Sequence, residues 1–381
     1  MRLPILVLGL NGVPGYALFR HFNKLFGGTD FNSGNSGTIH PAKRHPDAKA
    51  PLIGIRPIIH INDEGKMVNI DKVKGRAKAV EDVVAIDAED TAGLTALFEK
   101  HQFKTVIDAS GNCALKACEC DTPRSRLLNC LQGVDAAQLA ADFGCTFVRI
   151  STDMVWSGSE ETAHLRPYVE DAPKDPIHNY GKHQLEAEIE ISRIKPDAVM
   201  LRVPLPMDYA PGGCAGAIDW ISYRFRPGRP ATLYTDEFRN PVYGGDMCRV
   251  VQYILEHEFP AGIYNCGGPR RVSLYNAGQL VNAIGGYPAE LLHGTPRRDA
   301  GPMPPRVGDL HIDSSKLYKL LPPGFIRPWP AFDYLVPTSF DWHKTFGRNI
   351  TDKSKMGSEE AITRLLVNGE DTLCGEPISH Q

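Results

Sequence analysis

"VLGLNGVPGYALFRHF", residues 7–22, sets a buried-type apolar run against three glycines spaced G-x-x-G-x-x-G (Gly9, Gly12 and Gly15), and helical apolar spacing follows at once. A strand that turns sharply into a helix needs glycine where φ is positive and where two backbones approach closely. The N-terminus of that helix presents N–H groups and the positive end of its dipole, which is what a pyrophosphate requires. Pro14 suits the first helical turn, where the N–H it lacks would have no partner. Taken alone, the triplet is also compatible with a glycine-rich turn of no special purpose. Its place at the start of a βαβ pattern favours a dinucleotide cradle built from Gly9, Asn11, Gly12, Val13 and Gly15.

Outward from this turn, short apolar runs predict strands at 3–9, 52–56, 83–86 and 104–108, alternating with helical patterns. This is the signature of an α/β fold with a doubly wound parallel (Rossmann) sheet. Residues 27–50, rich in Gly, Asn, Ser and basic side chains, read as an inserted surface loop and not as an element, and 57–70 reads as a β-hairpin around Asp-Glu-Gly. A helix is expected over 125–142, stopped by Gly144 before the strand "CTFVRIS", then a helix from about Tyr180 to Arg193 and a strand at 198–204. From 205 the chain becomes rich in Gly, Pro and aromatics, with helices near 245–257 and 273–284. The organisation expected is a dinucleotide-binding domain at 1–204, a small substrate lobe at 205–336 that returns some segments to the sheet, and a C-terminal extension at 337–381. One helix in that extension is expected to be opened by Ser358 and closed by Gly369, and the chain end is expected to be disordered.

The chain has 381 residues, 42% of them hydrophobic and 23% charged, and a formal charge of −3. That balance suits a soluble protein with a sizeable core and gives no electrostatic reason to bind nucleic acid or an anionic membrane. No apolar run approaches the ~20 residues of a membrane span, and the start is too short for a secretory signal, so a cytoplasmic protein is expected. The nine cysteines read as reduced thiols, and neither "CALKACEC" nor the thirteen histidines have metal-ligand spacing, so no metal is expected.

The residues after the second strand bear on the cofactor. An acidic side chain there would grip an adenosine 2′-hydroxyl, but "PLIGIRP" ends in Arg56, which suits a 2′-phosphate, so NADP(H) is preferred over NAD(H). Asp87, after the third strand, is either an acceptor for the adenine amino group or a helix N-cap. "VIDASGN" ends the fourth strand in small residues, Ala109, Ser110 and Gly111, as a chain passing beside a cofactor requires.

With these in place, the chain resembles the extended short-chain dehydrogenase/reductases, and within them the dTDP-4-dehydrorhamnose reductase group of sugar-nucleotide-binding proteins. The resemblance runs over about 3–320 through the glycine motif, "LLNCLQGV" with Asn129, "RISTDMVWSG", "PYVEDAPKDPIHNYGKHQLEAE", "MLRVP", "DEFRNPVYGGD", "GIYNCGGP" and "LHIDSSKL". It implies an active site in the cleft between sheet and lobe, and a homodimer is the assembly common in the group. Thr152, with Ser151 beside it, would hydrogen-bond the substrate oxygen, and Tyr180 would be the acid/base. Asn129 would support the cofactor, while Met154, Trp156, Arg202, Arg239, Tyr243 and Arg306 fall in segments that line the substrate side, where arginine forks suit a nucleotide diphosphate.

One position departs from the pattern. The family places a lysine one helical turn after its tyrosine, to stabilise the phenolate and hold the nicotinamide ribose; here that residue is Gln184. Lys182 lies about 200° around the helix from Tyr180 and cannot replace it. An opposite charge a few ångströms away is worth about one to three pKa units, so its loss weakens chemistry that needs the phenolate. Met154 also replaces the family's usual aromatic. The reading is an NADP(H)-dependent oxidoreductase that reduces a keto group of a nucleotide-activated sugar or similar polar ligand. A catalytically silent NADP-binding regulatory protein, like the beta subunit of methionine adenosyltransferase, and a non-redox epimerase or lyase using bound cofactor remain as alternatives. His183 and the carboxylates Glu186, Glu188 and Glu190 read as a solvated helix face, and Asp236 and Glu237 as loop structure.

Overall fold

A computed structural model describes residues 1–31, 38–40, 50–57, 59–61, 67–69, 82–211, 215–301, 303–346 and 357–370. The chain end expected to be disordered lies outside them. Seven strands form one parallel sheet: β1 (Ile5–Leu8), β2 (Leu52–Arg56), β3 (Val83–Ala85), β4 (Thr105–Asp108), β5 (Thr146–Ser151), β6 (Val199–Arg202) and β7 (Gly262–Asn265). Their order is β7-β6-β5-β4-β1-β2-β3, with Leu8 opposite both Ile55 and Asp108. The order reverses at β1, so a crevice opens at the carboxyl ends of β1 and β4, where doubly wound sheets bind ligands.

The strands read as near-continuous apolar runs because both faces are covered. Ile5, Val7, Ile107, Val148 and Leu201 face α1 (Val13–Leu25), while the alternate residues Leu6, Leu8, Val106, Phe147 and Met200 face α2 (Thr91–His101). Helices α3 (Leu115–Cys120) and α4 (Thr122–Arg126) follow β4, and α4 runs through a π-helical turn at Leu127–Leu131 into α5 (Gln132–Asp142). The next helix, α6 (Asn179–Ile194), buries Ala187 and Ile191 on the same face as α2.

A second core forms under α7 (Ala217–Phe225) and α9 (Leu274–Ile284), whereas α8 (Gly244–Glu256) packs on the α1 side of the sheet. The C-terminal extension is partly integral to this lobe. Ile362, Leu365 and Leu366 are at most 1% exposed there, and the Trp329 indole N–H donates to the Leu366 carbonyl at 2.8 Å. Burying each such side chain is worth about 1.5–3 kcal/mol, which offsets part of the entropy of ordering the segment. The expectation of an elementless loop at 27–50 also fails in part: Thr29–Phe31 pairs antiparallel with Thr38–His40. Ile59–Ile61 likewise pairs antiparallel with Met67–Asn69.

Candidate active site

The glycine turn is shaped by close approach. Gly9 has φ +84°, and a Cβ there would sit 2.1 Å from the Ala109 carbonyl oxygen; one at Gly15 would sit 2.2 Å from the Gly9 carbonyl. Gly12 differs, for a Cβ there would meet nothing closer than 3.7 Å. The protein itself leaves that room, and no side chain caps α1, whose N-cap is Gly12. Together these fit a pyrophosphate laid across the turn. At the end of the same strand Leu8, Ile55, Ile86, Asp87 and Ala88 line a small pocket closed on its other side by Asp90, Thr91, Gln132 and Asp135. The capping role that competed for Asp87 belongs to Asp90, which accepts from the Gly93 N–H at 2.8 Å. Half-buried Arg56 ends β2 and donates to the Pro57 carbonyl at 3.3 Å.

Tyr180 and Thr152 meet because α6 starts against the turn that follows β5. His178 is its N-cap, with Nδ1 accepting from the Gly181 N–H at 3.0 Å. Burial lowers the His178 pKa to about 4, so the ring stays neutral and keeps that acceptor. A Cβ on Gly181 would fall 2.1 Å from the Met154 carbonyl oxygen, so only glycine lets the helix come this near. Gly181→Ala should therefore shift the start of α6 away from Met154 and lower Tm by a few degrees, with the fold retained by circular dichroism; an unchanged Tm would show that the close approach is dispensable.

The Tyr180 phenol titrates above its ordinary value. Burial is the main cause, with Cys113 and Cys118 adding to it, while a hydrogen bond with Thr152 and the charge of Arg239 pull the other way. The Thr152 hydroxyl accepts from the Met154 N–H at 3.2 Å and contacts Asp153 at 3.3 Å.

Gln184 is 2% exposed, and its Oε1 accepts from Arg149 Nη2 at 2.9 Å. Arg149 comes from β5, is fully buried, pairs through Nη1 with Asp108 of β4, and also donates to the Asn129 carbonyl at 3.1 Å. That carbonyl belongs to the π-helical turn at Leu127–Leu131, and such turns are common at functional sites. Gly133 makes room for the ion pair, since a Cβ there would sit 2.0 Å from Arg149 Nη1. Asn129 Oδ1 accepts from the Asn112 N–H at 2.8 Å, and Asp108 accepts from the Ser110 N–H at 2.9 Å, so both order the backbone around Gly111. Nothing in the sequence reading had singled out Arg149 or Asp108. The signal was there as two charges at facing positions of adjacent buried strands.

Several residues assigned to the cleft instead hold the scaffold. The Arg202 guanidinium donates to Glu188 at 3.0 and 2.7 Å and to the Glu170 carbonyl at 2.9 Å, with both side chains 1% exposed. Ser151 donates its hydroxyl to the same Glu188 at 2.6 Å, so it is turned away from Thr152. Glu188 is therefore a buried counter-ion and not part of a solvated face. Trp156 is wholly buried, stacked on Tyr168 at 5.0 Å and covered by Arg202 at 4.8 Å. Tyr243 is also wholly buried; its hydroxyl accepts from the Ala331 N–H at 2.9 Å and donates to the Leu365 carbonyl at 3.3 Å, which ties down the C-terminal segment. Arg239 is 2% exposed, forks onto Asp153 and donates to the Pro204 carbonyl at 2.5 Å, bracing the residue next to Thr152. Of the arginines assigned to the substrate side, Arg306 alone is half-buried, resting over Tyr234 at 4.9 Å. Met154 is half-buried against the Val155–Trp156 cluster.

His183 is buried, with Nδ1 at 2.9 Å from the Ser125 hydroxyl, and is not a surface residue. Glu237 is 2% exposed; burial raises its pKa to about 7, opposed by Arg239 and Arg306, while Asp236 accepts from the Arg297 N–H at 2.8 Å.

Comparison with known proteins places this geometry. The family described as "RmlD substrate binding domain" matches residues 64–316. The chain is 23% identical over 218 residues to a probable low-salt glycan biosynthesis reductase, Agl14, of Haloferax volcanii, covering 56% of this chain and 70% of that one. It is also 23% identical over 236 residues to the methionine adenosyltransferase 2 subunit beta of Xenopus laevis, covering 61% of this chain and 69% of that one. The crystal structure of a hypothetical dTDP-4-dehydrorhamnose reductase from Sulfolobus tokodaii superposes with TM-score 0.60 at 18% identity, over 84% of this chain and 95% of that one. A glycine turn at the sheet's switch point, a tyrosine opening the helix beside a Ser-Thr-Asp strand end, and a family match over most of the chain agree: the protein belongs to the RmlD substrate binding domain family, among the extended short-chain dehydrogenase/reductases.

Proposed function

We propose that the protein is an NADP(H)-dependent reductase of a keto group on a nucleotide-activated sugar or similar polar ligand. The observation that carries this reading is the pairing of Tyr180 with Thr152 at the start of the helix whose Gln184 borders Gly111, two residues beyond the Ala109 carbonyl that Gly9 packs against. Gly9, Asn11, Gly12, Val13 and Gly15 would hold the pyrophosphate, Asp87 the adenine, Arg56 a 2′-phosphate, and Ala109, Ser110, Gly111, Asn129 and Gln184 the nicotinamide side. When bound, the cofactor supplies the hydride. The protein's part is to hold the substrate oxygen between the Thr152 and Tyr180 hydroxyls and to give that oxygen the phenolic proton. A phenol is protonated at neutral pH and so has the proton to give; burial keeps it protonated while making it a weaker acid.

Mixing the protein with NADPH and a panel of keto-sugar nucleotides should consume NADPH at 340 nm in step with product. Product without net oxidation would support the epimerase or lyase alternative. Binding of NADPH without turnover on any of them would favour the silent alternative, which is supported by the neutral Gln184 clamped by Arg149. The cofactor preference has its own test. Arg56→Ala should weaken NADPH about tenfold to a hundredfold and leave NADH nearly unchanged, as measured by fluorescence titration. Equal losses for both would remove Arg56 from 2′-phosphate recognition.

A further inference from the structure

We propose that Arg149 is a positioning residue for Gln184, turning the amide so that its carbonyl faces the sheet and its N–H2 faces the cofactor groove as a neutral donor to the ribose diol next to the nicotinamide. The inference rests on the dinucleotide reading of that groove. Its basis is a chain of buried contacts in which Asp108 holds the Arg149 guanidinium through Nη1, and Nη2 reaches both the Asn129 carbonyl at 3.1 Å and Gln184 Oε1 at 2.9 Å.

A guanidinium only donates, so the opposite amide orientation would set donor against donor inside the protein. The carbonyl end is therefore committed, and the amide nitrogen is what remains to offer. That nitrogen borders Gly111, where a Cβ would lie 3.1 Å from Nε2. Gly111 belongs to the segment that begins at Ala109, against which Gly9 packs, so the donor and the glycine turn border one groove. The same contacts explain why a lysine does not stand here. An ammonium at 184 would face Arg149 at close range with Asp108 already neutralised, a like-charge pair in the interior. The cation is kept, but on the neighbouring strand β5 behind the amide, and a hydrogen bond reaches the groove in its place.

The test measures binding of NADPH and of 2′,5′-ADP, which carries the adenosine end alone, to wild type, Gln184→Met, Arg149→Lys and the double variant. Gln184→Met should weaken NADPH about tenfold and leave 2′,5′-ADP within about twofold, because only the nicotinamide-side donor is lost. Arg149→Lys should give a similar loss, since one ammonium cannot serve Asp108, the Asn129 carbonyl and Gln184 together. The double variant should be no worse than Gln184→Met, as both changes remove the same hydrogen bond. A folded Gln184→Met protein that binds NADPH like wild type would overturn the proposal, as would equal weakening of both ligands or additive losses. If Arg149→Lys does not fold, the Gln184→Met arm with its two ligands still decides. Wild type that binds 2′,5′-ADP or NADPH keeps the dinucleotide reading alive whatever Gln184 does, whereas wild type that binds neither ends both.

Discussion

Tyr180→Phe should lower kcat on the reducible substrate by about two to four orders of magnitude while NADPH still binds, since the ring and its packing remain and only the transferable proton is lost. The pH profile sharpens this expectation. Because burial raises the folded pKa of the phenol, the protonated form persists above the ordinary value of about 10, so the reduction rate should stay level through neutral pH and fall only in strong alkali. The reverse oxidation needs the phenolate and should climb with pH over the same range with no plateau near neutrality. A reduction rate that falls between about pH 6 and 8 would point to another proton donor, and Glu237, with a pKa raised to about 7, is a buried group whose ionisation fits that window. Turnover unchanged in Tyr180→Phe would remove the tyrosine from the chemistry altogether.

The fold could be read from residues 7–22 because local constraints and the global architecture agree there. Glycine spacing, apolar periodicity and the following helix each point to one turn, and the structure shows why, with Gly9 and Gly15 admitting no side chain. Period and length also located the helix carrying Tyr180 to within a residue. What could not be read was the destination of charged side chains. Arg202, Arg239 and Glu188 carry no local mark that separates a ligand-facing fork from a buried pair, because the difference lies in which residue sits across the sheet or one helix away. Arg149 and Asp108 are 41 positions apart and become neighbours only through the parallel register of β4 and β5. Trp156 and Tyr243 misled for a related reason: aromatics suit both a substrate wall and a core, and stacking on Tyr168 or contact with the C-terminal segment decides for the core.

Arg202 provides the sharpest separation between those two roles. If it bound a nucleotide diphosphate, Arg202→Met would raise KM and leave the fold intact. The structure leads to the opposite expectation. Both partners are 1% exposed, and removal of the guanidinium leaves the Glu188 carboxylate in the interior with, among the described residues, the Ser151 hydroxyl donating to it. Breaking a buried pair in this way costs about 3–5 kcal/mol, which for a chain of this length corresponds to a drop in Tm of about 4–6 °C. The penalty belongs to the orphaned charge and not to the lost attraction, so neutralising the partner should relieve it. Arg202→Met/Glu188→Gln should recover most of the lost Tm, because the glutamine can still accept from Ser151 and carries no charge to desolvate. A single variant that melts like wild type and binds substrate tenfold more weakly would return Arg202 to the cleft. A double variant as unstable as the single would show instead that the Glu170 carbonyl and the face of Trp156, both of which lean on the guanidinium, carry its contribution.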